Sequence, residues 1–436
     1  MASKRAHLTP EQIELAEQRK LKKQKQLEVQ APSTPPKAPI LLREWAPLLL
    51  HQSPRKDEAA FPVKIMTFNV RAFSIIPTAL PSRRRESFPT SSQALRAGSR
   101  EPMIHHEILK EVDRLEKLLP VLNEAGYSHT FVAGPGKKHG CLIAYAKDKY
   151  TKVGDKVVYY DEQEVRHDID DEKARVGCSF KTRNIGSLVA LKHLKGDGVI
   201  IATTHLFWHP SQVGILVRET LKFQREYDLR EWPCFIAGDF NFAPGDPAYP
   251  LLVGDALTQD QERCLNSSRV VHVSIDPTVS TVKNTETEAE GGETDPDKII
   301  TKARPARPAD GLLSTPELVE LFSTGAHLRS AYDEGQKALR ESGVEIETFG
   351  DRCSLPPSKL GAHEPMWTCY THYWKTVLDY IFVLEPARSR VVLTGYTKPH
   401  RTEDIRLGLP QVGICGSDHF SVCAEFHVIP EEPRPT

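Results

Sequence analysis

The stretch Phe235-Ile236-Ala237-Gly238-Asp239-Phe240-Asn241-Phe242-Ala243-Pro244 constrains this chain more than any other. A short apolar run stops at Gly238, and an acid and an amide follow two positions apart. Side chains alternate along a strand, so Asp239 and Asn241 leave its end on the same side. Gly238 lets the backbone come close to a neighbour, and Pro244 stops further strand pairing. A carboxylate beside an amide at a strand end can orient a water and hold a phosphoryl oxygen or a metal. On its own, however, the stretch reads as a strand-to-loop turn, because Gly-Asp and Asn are ordinary turn residues.

Company at matching places changes that reading. Phe68-Asn69 ends one apolar run and Thr204-His205 ends another. Asp379 sits in Val377-Leu378-Asp379-Tyr380-Ile381-Phe382, and Ser417-Asp418-His419 precedes the last run. The ordered set resembles the endonuclease/exonuclease/phosphatase superfamily of metal-dependent phosphodiesterases. The wording Thr203-Thr204-His205-Leu206-Phe207-Trp208-His209-Pro210, with Leu378 to Phe382 and Ser417 to Phe420, is similar to its deadenylase, nocturnin and Angel branch. Within that branch it is most like the fungal NGL-type RNA exonucleases. The resemblance spans residues 61–430.

That resemblance implies roles for named residues. Glu111, in Lys110-Glu111-Val112-Asp113, is the main metal ligand, with Asn69 and Asp418 close by. Asp239 orients or deprotonates the attacking water, and Asn241 binds the phosphoryl oxygen. His419 stabilises charge on the phosphate, Asp379 holds its ring, and His205 contacts the phosphate from the other side. Asn184 reaches toward the substrate cleft. Trp208 is a candidate for stacking a base, with packing as its other reading. Magnesium suits such a set, with manganese as a substitute, because it takes oxygen ligands and keeps several waters.

Composition bounds the rest. The chain has 436 residues, 39% of them hydrophobic, enough for one large α/β unit. A net charge of −1 rules out a globally basic coat, so contact with RNA 3′ ends has to come from a local patch. Eight cysteines are scattered without a CxxC pair, which suits reduced thiols and argues against zinc. No run is long enough to span a membrane, and the N-terminus lacks the apolar core of a secretory signal. A cytoplasmic or nuclear location is therefore expected. The oligomeric state leaves no trace in the sequence.

Residues 1–60 read as a tail. Arg19 to Lys25 holds five basic residues in seven, and the proline-rich stretch Ala31 to Pro39 breaks any helix. This tail is a candidate for nuclear import, RNA contact or a protein partner, or it is a solvated helix; its apolar end, Ile40 to Leu50, can pack on the body. Residues 61–430 form the catalytic domain. Strands are expected at Pro62–Val70, Gly140–Tyr145, Ser187–Leu191, Val199–Thr204 and residues 377–384, 390–395 and 421–428. Helices are expected over residues 104–125, after Trp208, with Val213, Leu216, Phe223 and Tyr227 on one face, and from Thr315. The loop Gly134 to Gly140 lacks the Gly-Lys-Ser/Thr ending of a phosphate cradle and leads into a strand. Residues 276–310 turn acidic and polar, and read as a disordered insertion. The expected architecture is α/β: a four-layer α/β-sandwich of two packed, mainly antiparallel sheets flanked by helices.

Three functions remain open at this point. One is a magnesium-dependent 3′-to-5′ exoribonuclease trimming poly(A) or ribosomal RNA to nucleoside 5′-monophosphates. Another is a phosphatase of the nocturnin type acting on a small phosphorylated metabolite. The third is an impaired RNA- or partner-binding protein, because in the resembling family the metal-binding glutamate ends a buried apolar strand. Here Ile104-His105-His106-Glu107-Ile108-Leu109-Lys110 precedes Glu111 and reads as a helix, as if a strand had been excised.

Overall fold

Every residue of β8 (Cys234–Asp239) is buried, which is why its sequence is apolar at each position up to Gly238. Alternation along the strand divides those residues between two cores. Cys234 and Ile236 face a layer of helices, while Phe235 and Ala237 face a second sheet. Burying a side chain of the size of Phe235 is worth about 1.5–3 kcal/mol. In this computed structural model the described residues are 40–48, 60–69, 103, 115–137, 139–167, 169–279, 302–323, 325–372, 374–386 and 389–430. Those from Leu41 onward form one compact unit.

The first sheet has six strands. In spatial order they are β11 (Arg329–Ser330), β14 (Asp379–Leu384), β8, β7 (Gly198–His205), β6 (Ile185–His193) and β5 (Tyr150–Tyr159). All neighbours are antiparallel except β7 and β8. That parallel pair needs a crossover, supplied by helix α2 (Pro210–Glu226). Its Val213, Leu216 and Phe223 are buried against the sheet, as their spacing predicts. Tyr227 differs: it lies just past the helix end and is 44% exposed. Helix α3 (Ala248–Val253) joins α2 on this face.

The second sheet runs β1 (Trp45–Pro47), β15 (Ser389–Thr397), β16 (Val422–Pro430), β2 (Phe61–Thr67). Val63, Ile65, Phe426 and Val428 meet Phe235, Ile381 and Val383 of the first sheet in the inter-sheet core. Helix α5 (Ala331–Glu341), which follows α4 (Thr315–Glu320), packs Ala331 and Tyr332 into the same core. The fold is thus the layered α/β sandwich expected from the sequence. Among the described residues no helix is long and apolar enough to cross a membrane.

Two boundaries differ from the sequence reading. The tail does not extend to residue 60, because Trp45–Pro47 pairs with Thr397–Gly395 of β15 and buries Ala46. Arg43 adds two hydrogen bonds of 2.5 Å to the carbonyl and hydroxyl oxygens of Ser421. The acidic insertion is also narrower than 276–310. β9 (Val270–His272) and β10 (Ala303–Pro305) form a hairpin, and Arg304 bridges Asp276 and Asp310. Ion pairing, rather than apolar burial, holds its polar flank, so composition alone hid it. Residues 280–301 lie outside the described residues, as do Arg19–Lys25.

Helix α1 (Leu115–Glu124) runs through Pro120 and packs Leu118 and Leu122 on Leu142 of the hairpin β3 (Tyr127–Ala133) and β4 (Gly140–Ala146). Among the described residues β2 has a single neighbour, β16, and β3–β4 forms a sheet of its own. The expected excision before Glu111 concerns residues 104–114, which lie outside the described residues.

Candidate active site

Strand register assembles the site. Asp379 lies directly across from Asp239 in the antiparallel β14–β8 pair, and His205 lies beside Asp239 in the parallel β7–β8 pair. This approach requires Gly238, because a Cβ there would stand 2.1 Å from the Thr204 carbonyl oxygen. After Asp239 the chain turns sharply, with Asn241 in the left-handed region at φ 54°, which asparagine tolerates better than most residues. The Asn241 backbone N–H donates to Asp239 Oδ1 at 2.9 Å, and Asn241 Nδ2 donates to the Leu206 carbonyl at 2.8 Å.

Other elements bring the remaining groups to the same carboxylate. Asn69, just past β2, donates from Nδ2 to Asp239 Oδ2 at 2.5 Å. His205 Nε2 stands 3.6 Å from that oxygen and His419 Nε2 3.9 Å. The other nitrogen of His419, Nδ1, is 2.8 Å from Asp379 Oδ2. Thr368 fixes this pair by donating to Asp379 Oδ2 at 2.7 Å while accepting from the Leu378 and Asp379 amides. Ser417 ties Asn69 to Asp418: its hydroxyl is 2.6 Å from the Asn69 carbonyl and 3.2 Å from Asp418 Oδ1.

Burial raises the Asp379 carboxyl to about 6 against the pull of the neighbouring imidazole. Burial alone would discharge His419, but the Asp379 carboxylate outweighs it and lifts the ring well above its ordinary value. At neutral pH the two therefore form a buried ion pair. His419 presents its other nitrogen, Nε2, to Asp239 at 3.9 Å.

These groups form the floor of a cleft of about 470 Å³ that Asn69, His205, Asp239, Asn241 and His419 all line. Asp379 and Asp418 stand behind the floor rather than among the lining residues. Asn184 and Trp208 line the cleft too. Trp208 is only 9% exposed, so it is mainly a packed residue. Glu111 lies outside the described residues. Sequence reasoning missed Thr368, which carries no motif, and the network on the wall. There Lys137 Nζ donates to Asn184 Oδ1, and Asn184 Nδ2 donates to Gln212 Oε1 at 3.5 Å. Gln212 in turn donates to Thr182 Oγ1 at 2.7 Å. Lys137 comes from the glycine-rich loop, whose only visible signal was its glycines.

The donor chemistry fits a divalent cation. Asp239, Asp379 and His419 bring ligand atoms within 4.8 Å of one another. Asp379 Oδ1 is buried with no hydrogen-bond partner among the described residues. Because His419 and Asp379 bind each other, the Asp239 carboxylate is the member of this set left to a cation, with Asn69 beside it in the cleft lining, and both residues carry hard oxygen donors.

A two-sheet sandwich whose strand ends converge on a carboxylate, a charged histidine and two amides is the frame of a hydrolase acting on phosphate esters. The chain belongs to the Endonuclease/Exonuclease/phosphatase family, whose model matches residues 107–419. It is 28% identical to the probable RNA exonuclease C9B6.11c of Schizosaccharomyces pombe over 97% of this chain and 88% of that protein. It is 24% identical to RNA exonuclease NGL2 of Saccharomyces cerevisiae over 91% of this chain and 83% of the relative. Among solved structures, ANGEL2, described as a 2′,3′-cyclic phosphatase, has the same fold. The match has a TM-score of 0.55 at 18% identity and covers 89% of this chain and 99% of that one.

Proposed function

We propose that this chain is a magnesium-dependent 3′-to-5′ exoribonuclease that releases nucleoside 5′-monophosphates, with manganese able to substitute. The observation that carries the reading is the convergence of Asn69, His205 and His419 on the buried Asp239 carboxylate at the cleft floor. The names of the two fungal relatives favour RNA as the polymer.

Asp239 accepts a proton from the attacking water, and the hydrogen bonds from Asn69 and the Asn241 amide fix the direction of its lone pairs. The water oxygen bonds to phosphorus as the bond from phosphorus to the 3′ oxygen breaks, and that oxygen takes a proton from solvent, leaving a shortened RNA with a 3′ hydroxyl. His419, charged and held by Asp379, offsets the negative charge that builds on the phosphoryl oxygens. Asn241 has a second amide hydrogen to offer those oxygens, and His205 approaches from the β7 side. A bound divalent cation supplies charge neutralisation and a more acidic water. Asn69 and Asp239 would hold it, together with Asp418 and Glu111 if the roles implied by the family resemblance apply.

The test is 5′-labelled RNA incubated with magnesium, with manganese, and with excess EDTA. The expected result is a ladder shortening from the 3′ end with either metal and none with chelator. Undiminished cleavage in EDTA, or turnover of a phosphorylated dinucleotide with RNA left intact, would overturn the reading.

A further inference from the structure

The wall of the cleft carries two aromatic rings for which the floor chemistry has no use. Phe180 and Phe207 both line the cleft and are half-buried. Neither belongs to a hydrophobic core cluster, unlike Phe68, Phe240 and Phe420, which adjoin the floor residues in sequence. Their ring centroids are 5.3 Å apart at 66°, an edge-to-face arrangement. Among the described residues no ring stacks face to face on either one. Aromatic faces left partly open in a polar cleft offer a surface on which a flat ligand can stack.

The segment holding Phe180 is rigidly built. Asp161 accepts from the amides of Thr182 and Arg183 at 3.2 and 2.7 Å, and so fixes the turn. Arg183 sits at φ 58°, in the left-handed region. From the other side the β9–β10 hairpin clamps the same segment. His272 N–H donates to the Ser179 carbonyl at 3.0 Å, and the Lys181 amide donates to Ser274 Oγ at 3.0 Å. The His272 ring meets Phe180 edge-on at 4.2 Å. Phe207 is tied to the same segment: its N–H donates to Gln212 Oε1 at 2.9 Å, and Gln212 donates to Thr182 Oγ1 at 2.7 Å; it follows the site residue His205 by two positions.

We infer that Phe180 and Phe207 form a stacking shelf for an unpaired nucleobase next to the one being released, with exposed Lys181 and Arg183 beside it taking the adjoining backbone phosphates. An aromatic face flanked by cations is how single-stranded nucleic acid is held without sequence preference. This makes the substrate a single strand of at least two nucleotides. The inference rests on the exoribonuclease reading and deepens it: the floor cuts the bond, and this wall selects a polymer over a mononucleotide or small metabolite.

The experiment compares wild type, Phe180→Ala, Phe207→Ala and Phe180→Trp on a 12-nucleotide RNA and on the same RNA with single abasic residues at positions next to its 3′ end. Alanine at either position should raise KM on intact RNA about 10-fold, with kcat nearly unchanged. On the RNA lacking the stacked base, wild type and variants should converge. Phe180→Trp should keep the wild-type preference for a base, which separates stacking from simple loss of fold. Equal losses on intact RNA and on every abasic RNA, or no loss on any, would overturn the shelf. Wild-type turnover is read first: its absence on all RNAs sinks the exoribonuclease reading, whereas turnover without base dependence sinks the shelf alone.

Discussion

Two carboxyl groups are buried near the aromatic cluster around Tyr380, and they have opposite fates. Asp379, at the start of β14, is 1% exposed and has a histidine 2.8 Å away. Glu364 is also 1% exposed, but its bonded partner is the Tyr249 hydroxyl at 2.8 Å, and the charge that acts on it is that of another acid, Asp333. Each has one oxygen without a hydrogen-bond partner among the described residues. Burial raises both, Asp379 to about 6 and Glu364 to about 8, the latter with help from Asp333. At neutral pH the first is therefore charged and the second protonated. Burial alone makes a carboxyl a neutral hydrogen-bonding group. A facing imidazole turns the same burial into a charged pair with an end that can reach substrate.

The comparison breaks most visibly at the residue the charged pair faces. Asp239→Asn keeps the shape but removes the proton acceptor and one of the two oxygens that accept from Asn69 and the Asn241 amide, so kcat should fall about 10³-fold or more with only a modest drop in melting temperature. Near-wild-type turnover in steady-state assays would show that another group activates the water.

Asp379→Asn should act more mildly, lowering kcat about 10²-fold, because it disturbs the orientation and charge of His419 without touching the phosphate. Without the carboxylate the burial of His419 is opposed far less, so its pKa moves down and the ring loses its proton at lower pH. The alkaline limb of the kcat profile should shift accordingly toward acid. A variant with reduced kcat but an unmoved alkaline limb would mean that Asp379 only positions the ring.

The charged side of this comparison was legible in the sequence, and the neutral side was not. Asp239, Asn241, His205 and Asn69 each punctuate an apolar run, and Asp379 and His419 each sit at the entry to one. A strand end is the one place where a one-dimensional pattern reveals which side chains will meet. Their convergence still depended on register, such as Asp239 opposite Asp379, which no local pattern encodes. Thr368 reaches Asp379 from 11 residues away, and Lys137 reaches Asn184 from 47. Such contacts between loops leave no periodic trace. The main sheets were readable where strands are apolar, as in β8, but β5 has a single buried residue and its polar positions hid it. Glu364 sits in no motif, and its character comes entirely from its neighbours.

The smallest expected effect concerns that residue and sharpens the contrast. Glu364 has an ordinary value of 4.5, and about 8 in the folded protein. Between those values the folded state keeps a proton that the unfolded state releases, so its contribution to stability is full below about 4.5 and is lost as pH rises through about 8. The slope from this group alone is at most about 1.4 kcal/mol per pH unit. Glu364→Gln is close in shape and can still accept a hydrogen bond from Tyr249, but it does not titrate. Melting temperatures measured from pH 5 to 8.5 should therefore decline less steeply in the variant than in the wild type, with the gap opening steadily from about pH 5 and levelling off above about pH 8. Activity at pH 7 should stay within about 2-fold, since a protonated Glu364 and a glutamine are both neutral. Parallel melting curves would mean that Glu364 is already ionised in the folded state. In that case a partner other than Tyr249 must hold its charge, and the contrast with Asp379 would collapse.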